Sequence, residues 1–298
     1  MPATLSSCFT GVESTPPVTS GDVQQALSRA ERTAPQPLVE TGDSVASWTP
    51  GGKRFVVTDN QARLLFSRPT SFDIDTVALQ GRTLTFQGYT TGDALTGNDA
   101  VTLLFTDGRH DYHYPTGKRL ETLGPAYRVP LLIDLDMVAA AHNMLRGRQL
   151  WVMTPLWYDP ATEQMTRGRQ YVPVTVTAVE PGNKVLPLRV IFTVNDSGQR
   201  AMLWMNDGTM IMPGRDLQSL FSDSDPRRRH NDINDATWTL ITRGELAEGM
   251  TKGECRLSRG APARIVSLPD QGGLRERWLY QGGSYLYFVD GRLTEFRL

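Results

Sequence analysis

Gly249-Met250-Thr251-Lys252-Gly253-Glu254, followed by Gly260-Ala261-Pro262, Trp278-Leu279-Tyr280 and Tyr287-Phe288-Val289-Asp290-Gly291, is the stretch whose reading decides the fold. Thr251 has the hydroxyl of a helix N-cap, and Glu254, three residues on, reaches back to the Thr251 amide, which makes a capping box. Gly260 can take the left-handed conformation that ends a helix, and Pro262 prevents its resumption. The helix between them has only about two turns and must lean on a partner. That partner is Asp235–Arg243, where Trp238 and Ile241 lie three apart, Ala236 and Leu240 four apart, and Gly244 is the stop.

Strand patterns follow the two helices. Arg264–Leu268, Leu274–Gln281, Ser284–Asp290 and Arg292–Arg297 are joined by Asp270-Gln271-Gly272-Gly273, Gly282-Gly283 and Asp290-Gly291, all hairpin chemistry. Alternation puts Trp278 and Tyr280 on one face. It puts Tyr285, Tyr287 and Val289 together, with Leu286 and Phe288 opposite. Gly249-Met250-Thr251, Glu254, Gly260, Pro262, Trp278, Tyr280, Phe288 and Asp290-Gly291 together resemble the BamE (SmpA/OmlA) family of small envelope lipoproteins, which share a fold with the β-lactamase inhibitor proteins. The resemblance covers about the last quarter of the chain. It implies a docking module, and each of its carriers is also explained as a fold determinant.

Working outward, 298 residues exceed the usual single core, so about two to four domains are expected. The net charge of −1 lacks the basic excess of a general nucleic-acid binder, and no nucleic-acid partner is expected. No apolar run reaches the length of a membrane-crossing helix. With two cysteines, Cys8 and Cys255, a disulfide framework is excluded for most of the fold. Cys255 reads as a small buried side chain.

Cys8 follows Leu5-Ser6-Ser7, and Leu-x-small-Cys resembles the bacterial lipobox, whose cysteine is diacylated. Only seven residues precede it, too few for a signal peptide, so either the true start lies upstream of Met1, the favoured reading, or Cys8 is incidental. Phe9–Thr19, with Gly11, Pro16 and Pro17, reads as a polar tether. Each buried acyl CH₂ adds ~0.8 kcal/mol of anchoring. The opening Cys8–Pro16 also resembles envelope lipoproteins of Bacteroidetes type. These features imply a membrane partner through a lipid on Cys8, an envelope protein partner, and a location at the outer membrane or in the periplasm.

The expected fold class is α+β, mostly β. Residues 1–19 form the tether. Residues 20–108 form a helix (Val23, Ala26, Leu27, Ala30) and a small antiparallel β domain. A linker or loop follows at 109–125. A second small β domain with one helix covers 126–215, and the two-helix and meander module 216–298. In the first β domain, strands are expected at Arg54–Thr58 and Ala62–Phe66, around an Asp59-Asn60 turn, and at Thr83–Tyr89 and Val101–Phe105. In the second, Asp134 caps a helix Leu135–Arg146 stopped by Gly147. Strands resume at Gln149–Thr154, Gln170–Val179, Arg189–Val194, Ala201–Met205 and Thr209–Met212. Phe221–Asn234, with Asp223, Asp225, Arg227, Arg228, Arg229 and His230, reads as a solvated linker, or else a short anion patch.

The sharpest catalytic alternative starts at Gly42-Asp43-Ser44-Val45, which resembles the nucleophile block of SGNH (GDSL-type) hydrolases. Asn98 follows, and Asp107-Gly108-Arg109-His110 has that family's Asp-x-x-His spacing. The resemblance implies Ser44 as nucleophile, His110 as base and Asp107 as its orienter. The short strands from Ser44 to His110 leave no room for the βαβ crossovers that family needs. No cofactor is expected. His110, Asp111 and His113 lack the further ligands zinc requires, and Asp134 with Asp136 is better read as a cap at the positive end of a helix. Among the aromatics Trp151, Trp157, Tyr158, Trp204, Trp278, Tyr280, Tyr285 and Tyr287, most read as core. Trp157-Tyr158-Asp159-Pro160 lies in an expected loop. Trp157, Tyr158, Trp278, Tyr280, Tyr285 and Tyr287 form the candidate binding surface. The expected role is non-enzymatic docking or scaffolding. An inhibitor or ligand-binding protein using the C-terminal sheet is a second reading, and the Ser44/His110 esterase a third.

Overall fold

Among the described residues, period-2 apolar patterns build three antiparallel sheets. The computed structural model describes residues 38, 43–67, 78–92, 99–208, 212, 214–270 and 273–298. Cys8, the tether, the helix expected from Ser20, Gly42, Asn98 and most of Thr209–Met212 lie outside the described residues. The protein is mostly β, with few helices.

In the first sheet, β1 (Arg54–Val57), β2 (Thr83–Thr91), β3 (Val101–Thr106), β4 (Asp111–Pro115) and β5 (Leu132–Asp134) run in the order β4-β3-β2-β1-β5. Along β3 the burial alternates residue by residue, which sends Val101, Leu103 and Phe105 into a core with Phe55, Phe86 and Tyr112. Two expectations are corrected here. Ala62–Phe66 is not a strand: Asn60–Leu65 is a 3-10 helix. Asp59 accepts from the Gln61 amide at 2.9 Å, and the Asn60 carboxamide accepts from the Leu79 and Gln80 amides. These side-chain bonds hold a turn where strand propensity alone favours extension. Conversely, β4 lies in the stretch read as a loop, because Tyr112 and Tyr114 point inward from an otherwise polar segment.

β5 comes from the stretch expected to open the second β domain, yet it pairs with β1. Its last residue, Asp134, is also the N-cap of α1 (Leu135–Leu145), accepting from the Asp136 and Met137 amides. Lys53 Nζ reaches the same carboxylate at 2.5 Å, in a nearly buried ion pair, and lies 5.3 Å from the centre of the Trp48 ring.

α1 buries Met137, Val138, Ala141 and Leu145 against the second sheet. That sheet contains β6 (Gln149–Val152), β7 (Leu156–Tyr158), β8 (Met165–Arg167), β9 (Val172–Pro181), β10 (Leu188–Val194), β11 (Arg200–Met205) and β12 (Phe221–Ser222), after the single turn α2 (Leu217–Leu220). The order is β12-β6-β9-β10-β11-β7-β8. The expected linker Phe221–Asn234 is therefore partly structural. β12 pairs with β6, Phe221 is buried in the core, and Arg227 donates to the carbonyls of His230 and Ile233.

The C-terminal segment follows its sequence signals closely. α3 (Asp235–Arg243) ends at Gly244, which is in the left-handed conformation. α4 (Lys252–Arg259) starts with both bonds of the capping box. Gly260 ends it with φ +79°, although ψ lies outside the left-handed helical well. β13 (Arg264–Asp270), β14 (Gly273–Leu279), β15 (Tyr285–Val289) and β16 (Arg292–Arg297) form a meander in chain order. The β15–β16 turn puts Asp290 at φ +52° and Gly291 at φ +80°, as a two-residue hairpin requires.

Pro37–Leu298 is one compact unit. The C-terminal helices are tied to the second sheet through the segment before β9. The Gln170 carboxamide nitrogen is 2.9 Å from each of the carbonyls of Ile241, Leu257 and Ser258, at the ends of α3 and α4. The Tyr171 hydroxyl donates to Leu257, and Arg167 donates to the carbonyls of Arg243 and Gly244. These donors satisfy carbonyls that helix ends leave orphaned. Among the described residues, no helix is long and apolar enough to cross a membrane.

Candidate docking surface

The meander has two unlike faces. Trp278 opposes Leu286 across the β14–β15 ladder, and both turn toward the helices with Phe288 and Leu293. The Trp278 and Phe288 rings are 4.7 Å apart, and Arg256 from α4 lies 5.0 Å from the Trp278 ring. Lys252 Nζ pairs with Glu276 at 2.6 Å, and the Trp278 indole donates to the same carboxylate. The hydrogen bond from Lys252 holds the Glu276 carboxyl below its ordinary range.

Alternation sends the other residues of the strands to the opposite face. One row across the four strands reads Arg264, Leu279, Tyr285, Arg297. The next reads Val266, Arg277, Tyr287, Glu295, and Arg275 with Val289 begins a third. Arg264, Arg275, Arg277 and Arg297 are all exposed, and the two tyrosines are half-buried between them. The Arg277 guanidinium sits 5.1 Å from the centre of the Tyr285 ring, a cation–π arrangement. The Tyr285 hydroxyl donates to Glu295, and that bond raises its pKa.

The candidate surface is thus corrected in membership. Tyr285 and Tyr287 lie on the outer face. Trp278 is 1 % exposed and belongs to the core. Tyr280 closes over the same core and donates to the Gly260 carbonyl, and burial pushes its pKa up to about 12. Cys255, beneath it, is also buried, and its thiol is pushed up to about 12. Trp157 and Tyr158 sit on β7 of a different sheet rather than in a loop. Trp157 is 1 % exposed, with its indole donating to the Thr154 carbonyl and its ring edge-on to Phe192. Tyr158 packs edge-on to Trp204.

Ser44 and His110 belong to separate local structures. Ser44 precedes the 3-10 turn Val45–Ser47, and its hydroxyl does not cap that turn. Asp107 and His110 form the β3–β4 turn. The Asp107 carboxylate accepts from the amides of Arg109 and His110, from the Tyr112 hydroxyl and from Arg82. Although burial opposes it, these bonds hold the Asp107 carboxyl well below its ordinary range. The Asp-x-x-His spacing therefore has a turn-forming explanation. Asp111 and His113 are exposed on β4, and among the described residues no group of three His, Cys, Asp or Glu side chains could hold a metal ion.

Two concavities lie away from the outer face of the meander. One, beside Lys53 and Asp134, has a volume of about 10 Å³, the size of a single water. The other, of about 370 Å³, lies between the 230–233 loop and α4. Its Glu254 is committed to the capping box, and its His230 and Arg256 are stacked on Trp238 and Trp278. The first is too small for an organic ligand, and the polar side chains named for the second already have partners.

No family model, curated protein or solved structure matches this chain. The surface must therefore be read from its own chemistry. Sequence reasoning found its tyrosines but passed over its arginines. The available signal was the period-2 spacing of Arg275 and Arg277 on the tyrosine side of the meander.

Proposed function

We propose that the protein is a non-enzymatic docking or scaffold factor of the cell envelope, anchored at the outer membrane by a lipid on Cys8. In this reading, two small β domains carry a BamE-like C-terminal module, and the outer face of its sheet is the contact surface. The observation that carries it is the outer face itself, where half-buried Tyr285 and Tyr287 lie among exposed arginines. Tyrosine and arginine are among the side chains enriched at protein contacts, because each combines a large flat area with directional hydrogen bonding.

Two experiments test this reading. A photo-crosslinking benzoylphenylalanine at Tyr287 is expected to give a discrete adduct in living cells. The same probe at Leu64, which is 79 % exposed on the first domain, is expected to give none. Equal labelling at both positions, or none at either, removes the docking reading. Separately, the native protein is expected to sediment with membranes and to carry a diacylglycerol mass on Cys8, and Cys8→Ser to stay in the supernatant. An unmodified Cys8 removes the anchor.

A further inference from the structure

We infer that the outer face of the C-terminal sheet takes an acidic polypeptide segment. The inference rests on the docking reading above and adds the chemistry of the partner. Arg264, Arg277 and Arg297 share the first two rows of this face with Glu295. A net charge of −1 over the chain hides this local excess. Arg264 and Arg297 stand on the two edge strands of the same row, three strand spacings apart, or about 14 Å. A segment crossing the sheet meets a guanidinium at each side. The planar guanidinium fork accepts a carboxylate in bidentate fashion, which a point charge does not.

The same details favour a polypeptide over the other polyanions. A single nucleic-acid strand needs open aromatic faces for its bases, and here Arg277 already lies over Tyr285. Glu295, hydrogen-bonded to Tyr285 from the edge strand β16, sets a carboxylate two residues from Arg297 and breaks a continuous phosphate track on that side. Firm attachment to a headgroup surface combines charge with protruding apolar side chains. The apolar residues of this face, Val266, Leu279 and Val289, are half-buried. Glu295 instead suits a peptide, whose amides and occasional basic residues pair with a lone carboxylate.

The test uses the full chain and an array of fifteen-residue peptides graded in net charge, each with one tyrosine or leucine. A dT15 oligonucleotide and phosphatidylglycerol vesicles are measured alongside. Binding is expected to concentrate on peptides with several Asp or Glu residues. It is expected to fall at least about tenfold in Arg264→Glu/Arg277→Glu and to weaken with salt. Both substituted side chains are exposed, and a circular-dichroism melt verifies the fold. Three outcomes overturn the inference: selection without acidic bias, selection unaffected by the double variant, or tighter binding of the oligonucleotide or vesicles through the same arginines. Neutral peptides lost on Tyr287→Ala but retained by the arginine variant would leave docking in place and reject the acidic partner. Binding by no peptide, together with an adduct at Tyr287 in cells, would do the same.

Discussion

Gly168→Ala is expected to destabilise the protein by about 3 kcal/mol, the upper range for overpacking a filled core. A Cβ on Gly168 falls 2.0 Å from the indole of Trp157. The indole has nowhere to retreat. Its nitrogen donates to the Thr154 carbonyl at 2.7 Å, its ring meets Phe192 edge-on at 5.4 Å, and it is among the largest fully buried side chains. The Gly168 amide is itself bonded to the Pro155 carbonyl at 2.7 Å, so the backbone cannot swing aside cheaply. A fall in melting temperature of about 6–12 °C follows from the usual 2–4 °C per kcal/mol in larger domains. Gly253→Ala in the exposed first turn of α4 is the matched control. Its Cβ meets only the Thr251 hydroxyl, at 3.8 Å, and alanine favours the helix. Equal melting of the two variants would refute the packing described for Trp157.

Gln170→Leu is expected to cost a similar amount, about 3 kcal/mol, by a different route. Leucine matches the glutamine in bulk but donates nothing. The Ser258 carbonyl then loses the carboxamide 2.9 Å away, while Ile241 keeps the Gly244 amide and Leu257 the Tyr171 hydroxyl, and an unsatisfied buried acceptor costs about 1–3 kcal/mol. The loss is confined to the C-terminal helices. Amide hydrogen exchange should therefore accelerate in 235–259 and stay unchanged in β2 and β3. Uniform acceleration would show that Gln170 does not hold this junction in particular. Gln170→Glu sharpens the test, because a carboxylate facing three carbonyls disfavours its own ionised form. Its folded pKa is then raised above the unfolded value of about 4.3. The penalty is full above the folded pKa and disappears as pH falls below the unfolded one. Gln170→Glu should thus recover toward the native stability on acidification, whereas Gln170→Leu should not.

The parts of the fold that were legible in the sequence are those written in local chemistry. The Thr251–Glu254 capping box, the Asp134 cap and the Asp290-Gly291 hairpin each depend on residues within four positions of one another. The parts that were not legible depend on distant partners. β5 is three residues long and is a strand only because β1 lies beside it. The β7–β8 hairpin reads as a loop because Asp159-Pro160 dominates its local signal. In fact the Asp159 carboxylate accepts from the Ala161 and Thr162 amides to make the turn, and Gly168 clears the space that lets Trp157 face inward.

The candidate surface was half legible. Tyr285 and Tyr287 follow from alternation alone. The arginines around them needed the register of four strands before they read as a cluster, since Arg264 and Arg297 are far apart in sequence and share a row only in the folded sheet. The junction at Gln170 left no sequence signal, because an uncharged amide before a strand looks like any surface residue until the two helix ends converge on it.

Asp134 ends one sheet's edge strand and begins the helix that roofs the next, with Lys53 clamped to the hinge point. Severing the polypeptide before Leu132 would deprive the first sheet of its border, and severing it after Asp134 would strip the roof's anchor from the second. The two layers are therefore inseparable by any single cleavage, and an evolutionary or engineered exchange of one for another lineage's version must carry residues 132–145 along with Lys53.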